Sequence, residues 1–119
     1  PKKIDDAALD NMQKAAERLV GTHDFSAYMA ANSTVKSTVR TIYTTEISRD
    51  GDMISFKISG DGFLYNMVRI IVGTLLEAGE GKISPSDMQK ILDSKDRGLA
   101  GKTAVAKGLK LVKIEYIDE

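Results

Sequence analysis

The feature that most constrains this chain is an apolar helical pattern near its middle. Leu64, Met67, Val68, Ile71, Val72, Leu75 and Leu76 step by three and one, which predicts a helix with one broad buried face. Within the stretch "GDGFLYNMVRIIVGTLLEAGEG", residues 60–81, Arg69 stands alone among apolar neighbours. On a helix it shares a face with Tyr65, Gly73 and Leu76 and borders the buried stripe. Two readings are open. Its aliphatic stem lies over the core while the charged head reaches water, or its planar fork meets a carboxylate or phosphate through two charge-assisted hydrogen bonds. No residue of the pattern itself names such a partner.

The remaining pattern supplies cover for that helix. Residues 6–20 carry Leu9, Met12, Ala16, Leu19 and Val20 at helical spacing, with Gly21 where a C′ glycine belongs. "DFSAYMAA" reads as a short helix or turn and "NSTVKS" as a loop. β-branched density from 39 to 47, then alternation of Ile54, Phe56 and Ile58 with polar residues, predicts an antiparallel hairpin turning at Asp50-Gly51. "SPSD" at 84–87 offers Ser84 as N-cap, Pro85 at N1 and Asp87 at N3 for a helix through about Leu92. Residues 109–116 read as a strand with Val112, Ile114 and Tyr116 on one face. The order α, β, β, α, α, β predicts a single α+β domain over residues 1–119, an antiparallel sheet with helices packed on one face. Three strands are few beneath two long helices, so a further strand is expected to be missing from the chain or supplied by a partner.

Composition narrows the functional classes. Of 119 residues, 42% are hydrophobic and 29% charged, as in a soluble globular domain and unlike a disordered one. Arg69, Gly73 and Thr74 cut the longest apolar window well short of a membrane span. The absence of cysteine excludes disulfides and thiolate metal sites and fits a reducing cytoplasm. With His23 the only histidine, a zinc hydrolase site is not expected. Seventeen basic residues balance seventeen acidic ones, so affinity for nucleic acid must come from local placement of charge. "PKKIDDAALD" has no signal-peptide core, and a start at Pro1 suggests a processed or excised chain.

Several short motifs carry less than they suggest. "AGKT" at 100–103 looks like a phosphate loop, but the full spacing puts Asp96 where a glycine is required, after a helical pattern where a strand is required. His23 and Asp24 are adjacent, which rarely lets one orient the other, and a capping or core-edge role is favoured. "SKDRGLAGK" groups Lys95, Arg97 and Lys102 around glycines, either a solvated loop or a place where backbone and charge approach a ligand. Lys107, Lys110 and Lys113 extend the basic character but fall partly on different faces of a strand.

Together "GTHDFSAY", "TVRTI", "GFLYNMVRIIVGTLLEAGEGK", "SKDRGLAG" and "TAVAKGLKLVKIEY" resemble, in order and spacing, the C-terminal part of the TruA family of tRNA pseudouridine synthases. The resemblance runs from about Leu9 to Tyr116. It implies half of a pseudouridine synthase fold and a role in converting uridine to pseudouridine in the anticodon stem-loop of tRNA, with no metal or organic cofactor. The family's nucleophilic aspartate lies in a motif resembling "GRTDAGVHA", which does not occur here. By resemblance Arg69 matches the arginine that pairs with that aspartate, so its partner is expected in an N-terminal domain, and this chain alone is expected to be inactive. Leu109 matches a leucine lining the uridine pocket, an apolar wall suited to a base flipped from its stack. Tyr65 stands where other members carry histidine. With Lys95, Arg97 and Lys102 it completes the expected substrate-binding set. The resemblance also implies a cytoplasmic homodimer holding tRNA, without a membrane.

Ile70 replaces an asparagine usual in the family, Lys102 and Val105 replace two prolines of an "AGPTAPA" loop, and Lys110 replaces a common aromatic. Loss of two prolines predicts a less stiff loop. Two other classes fit the residues read without the resemblance: a stand-alone α+β RNA-binding module and a structural dimerisation domain.

Overall fold

The computed structural model describes residues 5–30, 34–51, 53–104 and 112–118. Helix α1 spans Asp6–Glu17, strand β1 Gly21–Asp24, β2 Val39–Asp50, β3 Met53–Gly60, helix α2 Met67–Gly79, α3 Pro85–Ser94 and β4 Val112–Asp118. Single 3₁₀ turns occupy Ser26–Tyr28 and Arg97–Leu99. The architecture is α+β as expected, a four-stranded sheet in the order β1-β2-β3-β4.

The hairpin forms where the sequence predicts it. Asp50 pairs with Met53, and the alternation along β3 buries Ile54, Phe56 and Ile58 while Lys57 stays exposed. The three strands β1, β2 and β3 are antiparallel, but β4 runs parallel to β3. That departs from an all-antiparallel sheet, and its cause is the connection. Two helices between β3 and β4 return the chain to the end of the sheet from which β3 started. Register places Val112, Ile114 and Tyr116 beside Ile54, Phe56 and Ile58. The expected strand at 109–116 is shifted to Val112–Asp118, and residues 109–111 lie outside the described residues.

Strand β1 is the platform element that the sequence reading left to a missing segment or a partner. Its four residues pair with Val39–Ile42, and Gly21, at a φ of 112°, redirects the chain into it after α1. Gly21 therefore starts a strand, and α1 ends earlier than its periodicity suggests, with Arg18, Leu19 and Val20 closing i→i+3 bonds to Ala15, Ala16 and Glu17. Beyond Ile42, no strand among the described residues pairs with β2 on that side. The Gln13 amide of α1 takes over, donating to the Thr45 carbonyl at 3.2 Å and accepting from the Ile47 N–H at 2.8 Å. Two backbone groups of an exposed edge are thereby satisfied by one side chain.

The core lies between sheet and helices. Met12, Ala15 and Ala16 of α1 meet Met67, Ile70, Ile71, Val72 and Leu75 of α2, with Met88 and Leu92 of α3. Tyr28 is fully buried, and its hydroxyl donates to the Met88 carbonyl at 3.1 Å. Helix α3 starts as expected: Pro85 is at its head and the Asp87 carboxylate accepts the Ser84 N–H at 2.8 Å. Helix α2 starts three residues later than the periodicity implies, because Asn66 adopts a left-handed φ of 58°. Leu64 is buried all the same, from the loop before the helix.

Residues 97–104 return as a strap over α2. A Cβ on Gly73 would fall inside the carbonyl oxygen of Lys102, and one on Gly101 would lie 2.8 Å from the Thr74 Cα. Both glycines are there for close approach of two backbones. The fully buried Thr74 hydroxyl donates to the Ile70 carbonyl at 2.8 Å and accepts the Gly101 N–H at 2.8 Å. At Lys102, one of the two positions where the family's loop carries a proline, the backbone carbonyl rests against Gly73.

Two outcomes are expected. Gly73→Ala gains at most about 1 kcal/mol of helix propensity but must displace backbone, so a net loss of about 1–3 kcal/mol is expected in denaturant titration. The Asp24 carboxyl is held below its ordinary value of 3.8, chiefly by the Thr38 hydroxyl at 2.6 Å, with help from Ser26 and the nearby Lys95 charge. Its contribution to stability is therefore complete above the unfolded value and is lost as pH falls through the lowered native one. Carboxyl NMR titration should show Asp24 moving back toward its ordinary value in Thr38→Val.

Candidate functional site

The loop 61–66 that feeds α2 is pinned at both sides. Asp61 accepts the Thr41 N–H at 2.8 Å and returns its own N–H to the Thr41 carbonyl at 3.0 Å. The Tyr65 carbonyl accepts the Ala30 N–H at 3.1 Å. Tyr65 is thus held by its backbone while its side chain stays 69% exposed, although it lies outside the helix and not on the helical turn below Arg69. Phe63, Tyr65, Asn66 and Arg69 line a cavity of about 310 Å³ at the N-terminus of α2.

Arg69 lies on the exposed side of α2, between buried Val68 and Ile70. Its Nη1 reaches the Ala104 carbonyl at 3.5 Å, a long contact that leaves most of the guanidinium's donors unused by the described residues. No carboxylate among the described residues lies within ion-pair distance of it. The side chain is snorkelled in form, with its stem beside the core, and also open to an acidic or phosphate partner.

The other expected site residues are placed apart. Arg97, half-buried, donates from Nη1 to the Gly101 carbonyl at 3.0 Å and from Nη2 to the Thr103 hydroxyl at 3.3 Å, so it clasps the strap. Lys102 is exposed on that strap, its carbonyl against Gly73. Lys95 caps α3 with a left-handed φ of 57° and lies on the Asp24 side. Leu109, with Lys107 and Lys110, lies outside the described residues. Arg69 and Tyr65 thus share one cavity, and Arg97 and Lys102 share the strap that reaches Arg69.

The motifs discounted in the sequence behave accordingly. "AGKT" is preceded by a 3₁₀ turn and lies along α2, with no strand before it. His23 Nε2 bonds the Val20 carbonyl at 3.0 Å and its ring meets Phe25 edge-on, while Asp24 serves Thr38 and Ser26. The described residues hold no group of three or more His, Asp or Glu side chains that could hold a metal ion. No helix among them is long and apolar enough to cross a membrane. Thr74 and Gly101 were not singled out from the sequence as part of the site. A threonine and two glycines beside apolar helix positions are the only signal, and spacing does not reveal what they touch.

A family model described as tRNA pseudouridine synthase matches residues 15–117. Over 108 residues the chain is 52% identical to a tRNA pseudouridine synthase A of Geobacillus kaustophilus, covering 91% of this chain and 42% of that protein. It is 52% identical over 107 residues to the Clostridium acetobutylicum protein of the same name and 49% over 108 residues to that of Bacillus subtilis, covering 44% of each. The chain therefore spans about two-fifths of the length of these curated relatives. A family model matching residues 15–117, from the end of α1 into β4, and relatives about 50% identical over nine-tenths of the chain together identify it as a member of the TruA-type tRNA pseudouridine synthase family.

Proposed function

We propose that this chain is the C-terminal half of a tRNA pseudouridine synthase, that it completes an active site whose nucleophilic aspartate resides in an N-terminal domain, and that it is inactive alone. The reading is carried by Arg69: an exposed guanidinium at the rim of a cavity, with no carboxylate partner among the described residues. An arginine fork in that setting suits a carboxylate brought by another domain, held by two charge-assisted bonds. Relatives more than twice this length support the presence of such a domain.

The substrate is uridine in the anticodon stem-loop of tRNA. The N1–C1′ bond breaks, the base turns and a C5–C1′ bond forms, while a proton leaves C5 and N1 gains one. Atoms balance without an oxidant, and no metal or organic cofactor is required. Arg69 orients the aspartate, Leu109 forms the apolar wall beside the flipped base, Tyr65 lies at the cavity rim, and the exposed Lys95 and Lys102 meet phosphates, while Arg97 is engaged with the strap. The complete enzyme is a cytoplasmic homodimer.

Pseudouridine formation on unmodified tRNA tests this. The chain alone is expected to give no product and to gain activity when the N-terminal domain is added in trans; product from the chain alone would overturn the reading. In the complete enzyme Arg69→Ala should lower turnover by about 100-fold or more while tRNA affinity changes little. Binding should weaken linearly in log–log terms as salt rises.

A further inference from the structure

We propose that the strap Arg97–Ala104 is a positioning device for Arg69, with Thr74 and Arg97 as its positioning residues. This rests on the reading of Arg69 as the cation that meets the aspartate. It adds what holds that cation in place.

The strap runs along α2 from the middle of the helix toward its N-terminus, and it is fastened at three levels. Gly101 is tied to Thr74 by its N–H at 2.8 Å, and the Thr74 hydroxyl is itself fixed by donating to the Ile70 carbonyl. One residue on, the Lys102 carbonyl rests on the bare Cα of Gly73, where any side chain would collide. At the third level Ala104 grips Arg69 twice: its N–H donates to the Arg69 carbonyl at 3.1 Å, and its carbonyl faces Arg69 Nη1 at 3.5 Å. Arg97 closes the start of the strap through Gly101 and Thr103.

An exposed arginine ordinarily samples many rotamers. Among the described residues, the carbonyl that engages the guanidinium belongs to a segment whose position is set by a buried hydroxyl and by the close backbone approaches of Gly73 to Lys102 and of Gly101 to Thr74. The remaining N–H donors are left for an incoming carboxylate. Displacing the strap by an ångström would misplace the fork by a similar amount, and misplacement of that size lowers rates by about 100-fold in well-aligned sites.

The test is a mutant cycle in the complete enzyme. Thr74→Val keeps the shape of the side chain and removes the hydroxyl. It is expected to lower kcat about tenfold or more with KM for tRNA within about twofold, and Thr74→Ser is expected to restore kcat. In an Arg69→Ala background, Thr74→Val should cost less than about a further twofold, since the group it positions is gone. A purely structural role predicts the same proportional loss in both backgrounds, and that result, or full kcat in folded Thr74→Val, overturns the proposal. Should Thr74→Val not fold, Arg97→Ala carries the same cycle from outside the core. There, a rise in KM with a shallower salt dependence in both backgrounds would make Arg97 a phosphate contact and overturn its positioning role. Full turnover by Arg69→Ala alone would reject the reading of Arg69, an outcome separate from either failure of the strap.

Discussion

The fold is organised by the burial of α2. Met67, Val68, Ile70, Ile71, Val72, Thr74, Leu75 and Ala78 are all removed from water, more of the circumference than a single packing face accounts for. A helix of this kind has to be enclosed. Sheet and α1 cover part of it, and the strap after α3 covers the rest, so the chain passes α2 and then returns over it. Burial on the last side is possible only because Gly73 and Gly101 let two backbones touch and Thr74 supplies a buried acceptor for the strap's N–H. Arg69 emerges where this enclosure ends.

Polar side chains elsewhere finish edges more than they add strength. The Gln13 amide satisfies β2 where β1 stops, and the Asn11 amide reaches the Ala78 carbonyl at the far end of α2. These bonds fix how α1 sits on both the sheet and the central helix. The ion pairs Lys14–Asp10 and Lys90–Asp87 are exposed and screened by water, so they add little to the fold. Orientation of the layers thus comes from a few amides and a hydroxyl, and cohesion from apolar contact.

What the sequence disclosed depended on how local the deciding interaction is. Helix α3, the hairpin and the bulk of α2 were legible because capping residues and periodicity act within a few positions. The start of α2 was not, since Leu64 fits the helical spacing while Asn66 takes a left-handed conformation that no periodicity records. Strand β1 was missed because "GTHD" is short and carries no alternation; only pairing with Val39–Ile42 makes it a strand. The parallel direction of β4 likewise depends on β3, far away in sequence. At the site, Arg69 declared itself as a charge out of place. Arg97 read as a ligand for phosphate, yet its two bonds to the strap appear only once Gly101 and Thr103 are folded beside it.

The parallel pairing of β4 also bears on the order in which this domain assembles. The hairpin of β2 and β3 joins neighbours across a single turn, whereas β4 pairs with β3 only after an excursion through residues 61–111. Closing so long a loop costs entropy before any ladder bond repays it. The strap lies on that same excursion. Docking of β4 on the sheet and closure over the central helix therefore draw on the same entropic cost, that of closing one long excursion of the chain.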